Sequence, residues 1–114
     1  MTPAMLCLTA ASYIQARGHA KGDNVTSRGG LCTLGALRLA ATGDATYAPF
    51  PFTAEGNAYT EAVNHLVDFH DQEGKLHWDP SYRLTRWNDQ PRRTAREVVS
   101  VLKRCALELN GKRK

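Results

Sequence analysis

The sequence contains no apolar run approaching the ~20 residues a helix needs to cross a bilayer, so no membrane span is expected. Its opening, Met1 to Leu8, has no Lys or Arg, and the chain turns polar at Ser12 and Gln15. A secretory signal requires a basic start and a cleavage site, so none is expected either. There is no Cys-x-x-Cys pair of the kind that builds zinc sites. A phosphate loop ending in Gly-Lys-Ser/Thr is missing, as is any zinc-finger or RNA-recognition signature. No internal repeat occurs, which removes solenoids and propellers. Disulfides are limited by arithmetic, because Cys7, Cys32 and Cys105 cannot all pair within one chain. Each lies among apolar residues, which suits buried free thiols in a reducing compartment, and a cytoplasmic location is expected.

What is present is ordinary globular composition, 42% hydrophobic and 23% charged over 114 residues. A chain of this size can bury a core without disulfides or a structural metal. We read one helical domain over residues 1–110 and a basic disordered tail over 111–114. The net charge of +4 is unevenly placed: residues 1–82 carry five basic against eight acidic groups, a net of −3, and residues 83–114 carry ten against three, a net of +7. Such asymmetry permits binding of an acidic protein or a nucleic acid without requiring either.

Four helical patterns stand out. The first opens with Thr2 as N-cap and Pro3 at N1, repeats Leu6, Ala10, Tyr13 and Ile14 on one face, and stops at Gly18. The second runs from about Leu31 to Thr42 with Gly43 as its stop, and is apolar nearly all round, which predicts a central position. Its stripe of Cys32, Gly35, Ala36 and Leu39 would let a neighbouring helix approach closely. A stiff connector containing Pro49-Phe50-Pro51 follows. The third pattern, about Thr53 to His70, repeats Tyr59, Ala62, Val63, Leu66 and Phe69. The fourth begins at the capping box Thr94-Ala-Arg-Glu97 and buries Val98, Leu102, Cys105, Ala106 and Leu109 before Asn110-Gly111. A structureless connection of 22 residues over 71–92 would be unusual. Asp79-Pro80 therefore predicts a short extra helix over Pro80–Trp87, with a hairpin from Leu76 to Trp87 as the alternative. The expected fold is all-α: an irregular bundle of four main helices, a central apolar second helix, and the short helix or hairpin before the last.

Several segments could carry chemistry. Arg28-Gly29-Gly30 precedes a helix N-terminus, where free N–H groups and a guanidinium can hold an anion; two glycines making a tight turn is the plainer reading. Cys32 in the first helical turn would have its thiolate favoured by the dipole, and His19 or His77 could act as its base. Against this, a cysteine on the packing stripe behaves as a small hydrophobe. His65, His70 and His77 with Asp68, Asp71 and Asp79 look like metal ligands, but His65 and His70 are five apart rather than three or four. They read better as the polar face and frayed end of the third helix, and no metal or other cofactor is expected. Trp87-Asn88-Asp89-Gln-Pro91 reads as a rigid corner in which Trp87 plugs the core and Asn88 or Asp89 caps the turn. The surrounding Trp78, Tyr82, Arg86, Arg92, Arg93 and Arg96 are residues of the kind that anchor interfaces.

Gly-Gly-Leu-Cys32-Thr-Leu-Gly35-Ala36-Leu, followed by Trp87-Asn88-Asp89-Gln-Pro91-x-Arg93-Thr94-x-x-Glu97-Val98, resembles a family of small actinobacterial and actinophage proteins classed as a domain of unknown function. The opening helix fits it too, although that family tends toward Gly-Trp where this chain has Gly18-His19. The resemblance implies no activity and carries over no catalytic residue; it implies an actinobacterial cytosol, with a phage genome as an alternative source. The leading functional expectation is a non-enzymatic interaction module acting on a host or cellular protein. The alternatives are nucleic-acid binding through Arg92, Arg93, Arg96, Lys103 and the tail, and a Cys32 enzyme.

Overall fold

The computed structural model describes residues 1–74 and 77–111. It is compact and all-helical, with α1 (Pro3–Arg17), α2 (Thr33–Thr42), α3 (Ala54–His70), α4 (Pro80–Asn88) and α5 (Ala95–Gly111). Leu76, where a hairpin would have started, and the tail residues 112–114 lie outside the described residues. Over Pro80–Asn88 the chain is helix, so the short-helix reading holds.

The boundaries follow local capping chemistry. Thr2 Oγ1 accepts from Met5 N at 3.1 Å, Thr53 Oγ1 from Gly56 N at 3.0 Å, and Asp79 Oδ1 from Ser81 N at 3.0 Å. Each satisfies one of the backbone donors a helix start leaves orphaned. Gly43 ends α2 in the left-handed conformation at φ 82°, which costs a glycine little. Thr94 performs its half of the capping box, accepting from Glu97 N at 3.1 Å. The Glu97 carboxylate is taken by Arg93 Nη1 at 2.9 Å.

The second helix departs from expectation at its start. Leu31 is extended, bridging to both His19 and Val25, and α2 begins at Thr33 with Cys32 as its N-cap. Its packing also differs. Only Thr33–Leu37 is buried along α2, whereas α3 packs against each of the other four helices and α1 packs most broadly against α5. Gly35 does create a close approach, but the neighbour is the loop: a Cβ there would collide with the Asn24 carbonyl. Leu6, Ile14, Leu37, Leu66, Leu84, Leu102 and Leu109 fill one continuous core. Among the described residues, no helix is long and apolar enough to cross a membrane.

Candidate functional site

Two clusters of polar side chains lie inside this apolar packing. The first is centred on Asn88, which is fully buried at the end of α4. Its Oδ1 accepts from Thr33 N at 2.8 Å, Thr33 Oγ1 at 2.6 Å and His19 Nε2 at 2.8 Å. Its Nδ2 donates to Ala20 O at 2.9 Å and to Asp89 Oδ1 at 2.8 Å. Asp89 in turn accepts from Gly22 N at 3.2 Å. The corner is therefore more than a local turn. Asn88 fastens α4 to the start of α2 and to the loop after α1, while Trp87, 3% exposed, fills the core beside it. Arg93 completes the corner by donating to Trp87 O at 2.9 Å and lying 4.2 Å over the Trp87 ring.

This architecture decides the glycine loop and Cys32. Gly29 N donates to Thr26 O, Leu31 N to Gly18 O and Cys32 N to Asn24 O. Gly30 N donates to Thr26 Oγ1, Thr33 N to Asn88 and Gly35 N to the Cys32 sulfur at 3.2 Å. These donors are committed within the fold, so Arg28-Gly29-Gly30 is a turn that fixes the loop rather than a cradle for an anion. Cys32 stands before the first helical turn, not in it. Its thiol donates to Asn24 Oδ1 at 3.4 Å. Burial pushes its pKa up, more strongly than the Gly35 and Leu34 amides pull it down. His19 is bonded to Asn88, and His77 stacks between Trp78 and Tyr82 with its Nδ1 accepting from Asp79 N. Neither histidine hydrogen-bonds Cys32, so the pairing a thiol nucleophile needs is not assembled.

The second cluster joins α3 to α5. His65 and His70 both direct Nε2 at one oxygen, Glu108 Oε1, at 2.9 Å and 3.0 Å. The donor atoms of His65, His70, Cys105 and Glu108 all lie within 4.8 Å of one another. His65 is 4% exposed and its Nδ1 has no partner. Burial alone would raise the Glu108 carboxyl, but the two histidine contacts outweigh it and hold it below the usual glutamate range. Burial, with Cys7 and Glu108 nearby, pushes the Cys105 thiol far up.

His65 and His70 are thus not a polar face and frayed end. Spacing along α3 alone does not show their convergence with a Cys-x-x-Glu pair, Cys105 and Glu108, on α5. The end of α3 is fastened as well. Buried Arg83 donates to Val67 O at 2.9 Å and Asp71 O at 3.0 Å, and pairs with Asp68 and buried Asp71. His77 stays with the aromatic residues at the start of α4.

On the surface, Trp78 is 86% exposed. It begins a run in which His77 stacks on Trp78 and Tyr82, and Arg86 lies 5.9 Å over the Tyr82 ring. The other members of the expected surface separate from it. Arg92 and Arg93 border a depression with the acidic Glu73 and Glu97, and Arg96 borders another with Lys103. Two further aromatic residues join the picture: Phe52, and Phe69, which the apolar repeat of the third pattern groups with buried Tyr59, Ala62, Val63 and Leu66 but which is 55% exposed. Phe52 is 94% exposed at φ 66°, a left-handed conformation costly for a bulky residue. With Phe69 it flanks a groove of ≈ 550 Å³ over the outer face of α3. Thr60 and Asn64 line both this groove and the depression beside Pro80 and Ser81, so the two aromatic regions border one face.

No curated protein and no solved structure matches the chain. Residues 1–108 match the model of a family of unknown function, DUF6197, and the chain belongs to that family.

Proposed function

We propose that this protein is a non-enzymatic binding module of the cytoplasm, which takes an amphipathic helix of a cellular or host protein across the outer face of α3. The observation that carries this reading is the groove flanked by exposed Phe52 and Phe69, continued through Thr60 and Asn64 to a depression at the start of α4, the helix that carries exposed Tyr82 and follows exposed Trp78. Exposed aromatic groups beside a shallow groove are what a partner helix covers. Tyr82 and Arg86 supply adjacent anchors, since Trp, Tyr and Arg dominate binding energy at interfaces. The groove floor offers Asn57, Asn64 and Asp68 for hydrogen bonds, in keeping with a polar-rimmed site.

The experiment is affinity capture from actinobacterial lysate with the wild-type chain and with Trp78→Ala and Phe52→Ser, followed by titration of the purified partner. A partner retained by the wild type and weakened at least tenfold by either variant supports the reading. The same proteins retained by all three forms would remove the groove as the site. Retention of nucleic acid that is lost as salt rises would instead favour the basic face of Arg96 and Lys103.

A further inference from the structure

We propose that His65, His70, Cys105 and Glu108 form a binding site for a divalent zinc-type cation that ties α3 to α5.

The first support is the donor set. Two imidazoles, one thiol and one carboxylate offer N, N, S and O, the mixture that borderline-soft Zn²⁺ takes, and not the all-oxygen set of Mg²⁺ or Ca²⁺. The donor atoms lie within 4.8 Å of one another before any ligand closes on an ion. Small side-chain adjustments then bring four donors to bonding distance of about 2.0–2.3 Å. Bundle proteins build metal sites in this manner, from i, i+3 pairs on one helix facing ligands on another. Cys105 and Glu108 supply that pair here, and α3 supplies the histidines.

The second support is the direction of the side chains. Two imidazole Nε2 atoms converge on the single oxygen Glu108 Oε1, so two ring nitrogens share one acceptor beside the Cys105 thiol. A cation among Nε2 of His65, Nε2 of His70, Sγ of Cys105 and Oε1 of Glu108 turns two competing N–H donors into two lone-pair ligands. It takes Cys105 as thiolate, and the released protons pass to solvent. Glu108 is about one-third exposed, which supplies a path of entry. Four protein ligands leave no open position, so the ion would cross-link the helices and not activate water.

Cobalt(II) titration of the chelator-stripped full chain, followed by displacement with Zn²⁺, tests the site. The expected result is one equivalent bound, with tetrahedral cobalt bands and a thiolate-to-cobalt charge-transfer band. Cys105→Ser should abolish the charge-transfer band, whereas Cys7→Ala should preserve it. Glu108→Gln, at the accessible edge, should weaken binding at least tenfold. If Cys105→Ser does not fold, His70→Ala and Glu108→Gln decide, each expected to lower affinity with helix content retained. Zn²⁺ should also raise the melting temperature of the wild type and not of Glu108→Gln. A folded wild type with no charge-transfer band, or a band that survives Cys105→Ser, overturns the proposal. Equal cobalt affinity in His70→Ala, Glu108→Gln and the wild type does so too.

Discussion

The Asn88 cluster and the α3–α5 cluster are both polar islands in an apolar core, and each includes a buried cysteine. At Asn88, one amide oxygen serves three donors and the amide nitrogen serves two acceptors. There, Cys32 is used for its size and its weak sulfur bonds. Between α3 and α5 the balance is lopsided, with two imidazoles drawn to one oxygen and a third nitrogen unpaired. The saturated amide holds three parts of the fold together, and the sharing of one oxygen by two imidazoles is what the proposed cation site rests on.

Alkali should have the largest effect, and it should act on both clusters alike. Burial raises Cys7 from 9.0 to about 12 and also raises Cys32, Cys105 and Tyr59. The folded state therefore keeps protons that the unfolded state loses. The stability from this source is intact below about pH 9 and falls as pH climbs toward 12. Circular dichroism and thiolate absorbance should change together; thiol ionisation in a still-helical protein would contradict the burial.

Asn88→Ala comes next and separates the clusters. It strands the buried donors of Thr33, and a loss of about 4 kcal/mol in urea unfolding is expected. In metal-free protein, Glu108→Gln should cost only about 1 kcal/mol, because a partly exposed ion pair contributes little. A cost equal to that of Asn88→Ala would erase the contrast between the two places. The smallest effect should be Trp78→Ala, within about 0.5 kcal/mol of wild-type stability. A larger loss would show that the ring run at the start of α4 supports the fold and is not a free binding face.

The helices were legible because their ends are local chemistry. Thr2-Pro3, Thr53 and Asp79-Pro80 announce their caps within three residues, and Gly43 supplies its own left-handed stop. Asn88 was legible only as a corner residue, since its partners Thr33 and His19 are 55 and 69 positions away. Cys32 shows what local reading leaves out. As N-cap it accepts from Gly35 N, a contact that favours the thiolate, and it is burial by distant parts of the chain that holds the thiol protonated. The α3–α5 cluster was hidden for a similar reason. Spacing rules work along one helix, and half of the converging side chains sit on a second, whose register against α3 is set by packing. Phe52 gave no sign of its exposure, because a phenylalanine after a proline reads equally well as core.

The broad pairing of α1 with α5 has a consequence for how the chain is made. A ribosome delivers α1 first and α5 last, at roughly 5–20 residues per second. During most of translation the helix carrying Leu6, Ala10 and Ile14 lacks its most extensive cover. The nascent chain must therefore carry the part of this stripe that α5 covers exposed until α5 is free to dock. An mRNA broken before the codon for Ala95 would yield a product open along its first helix, a natural target for chaperones and proteases.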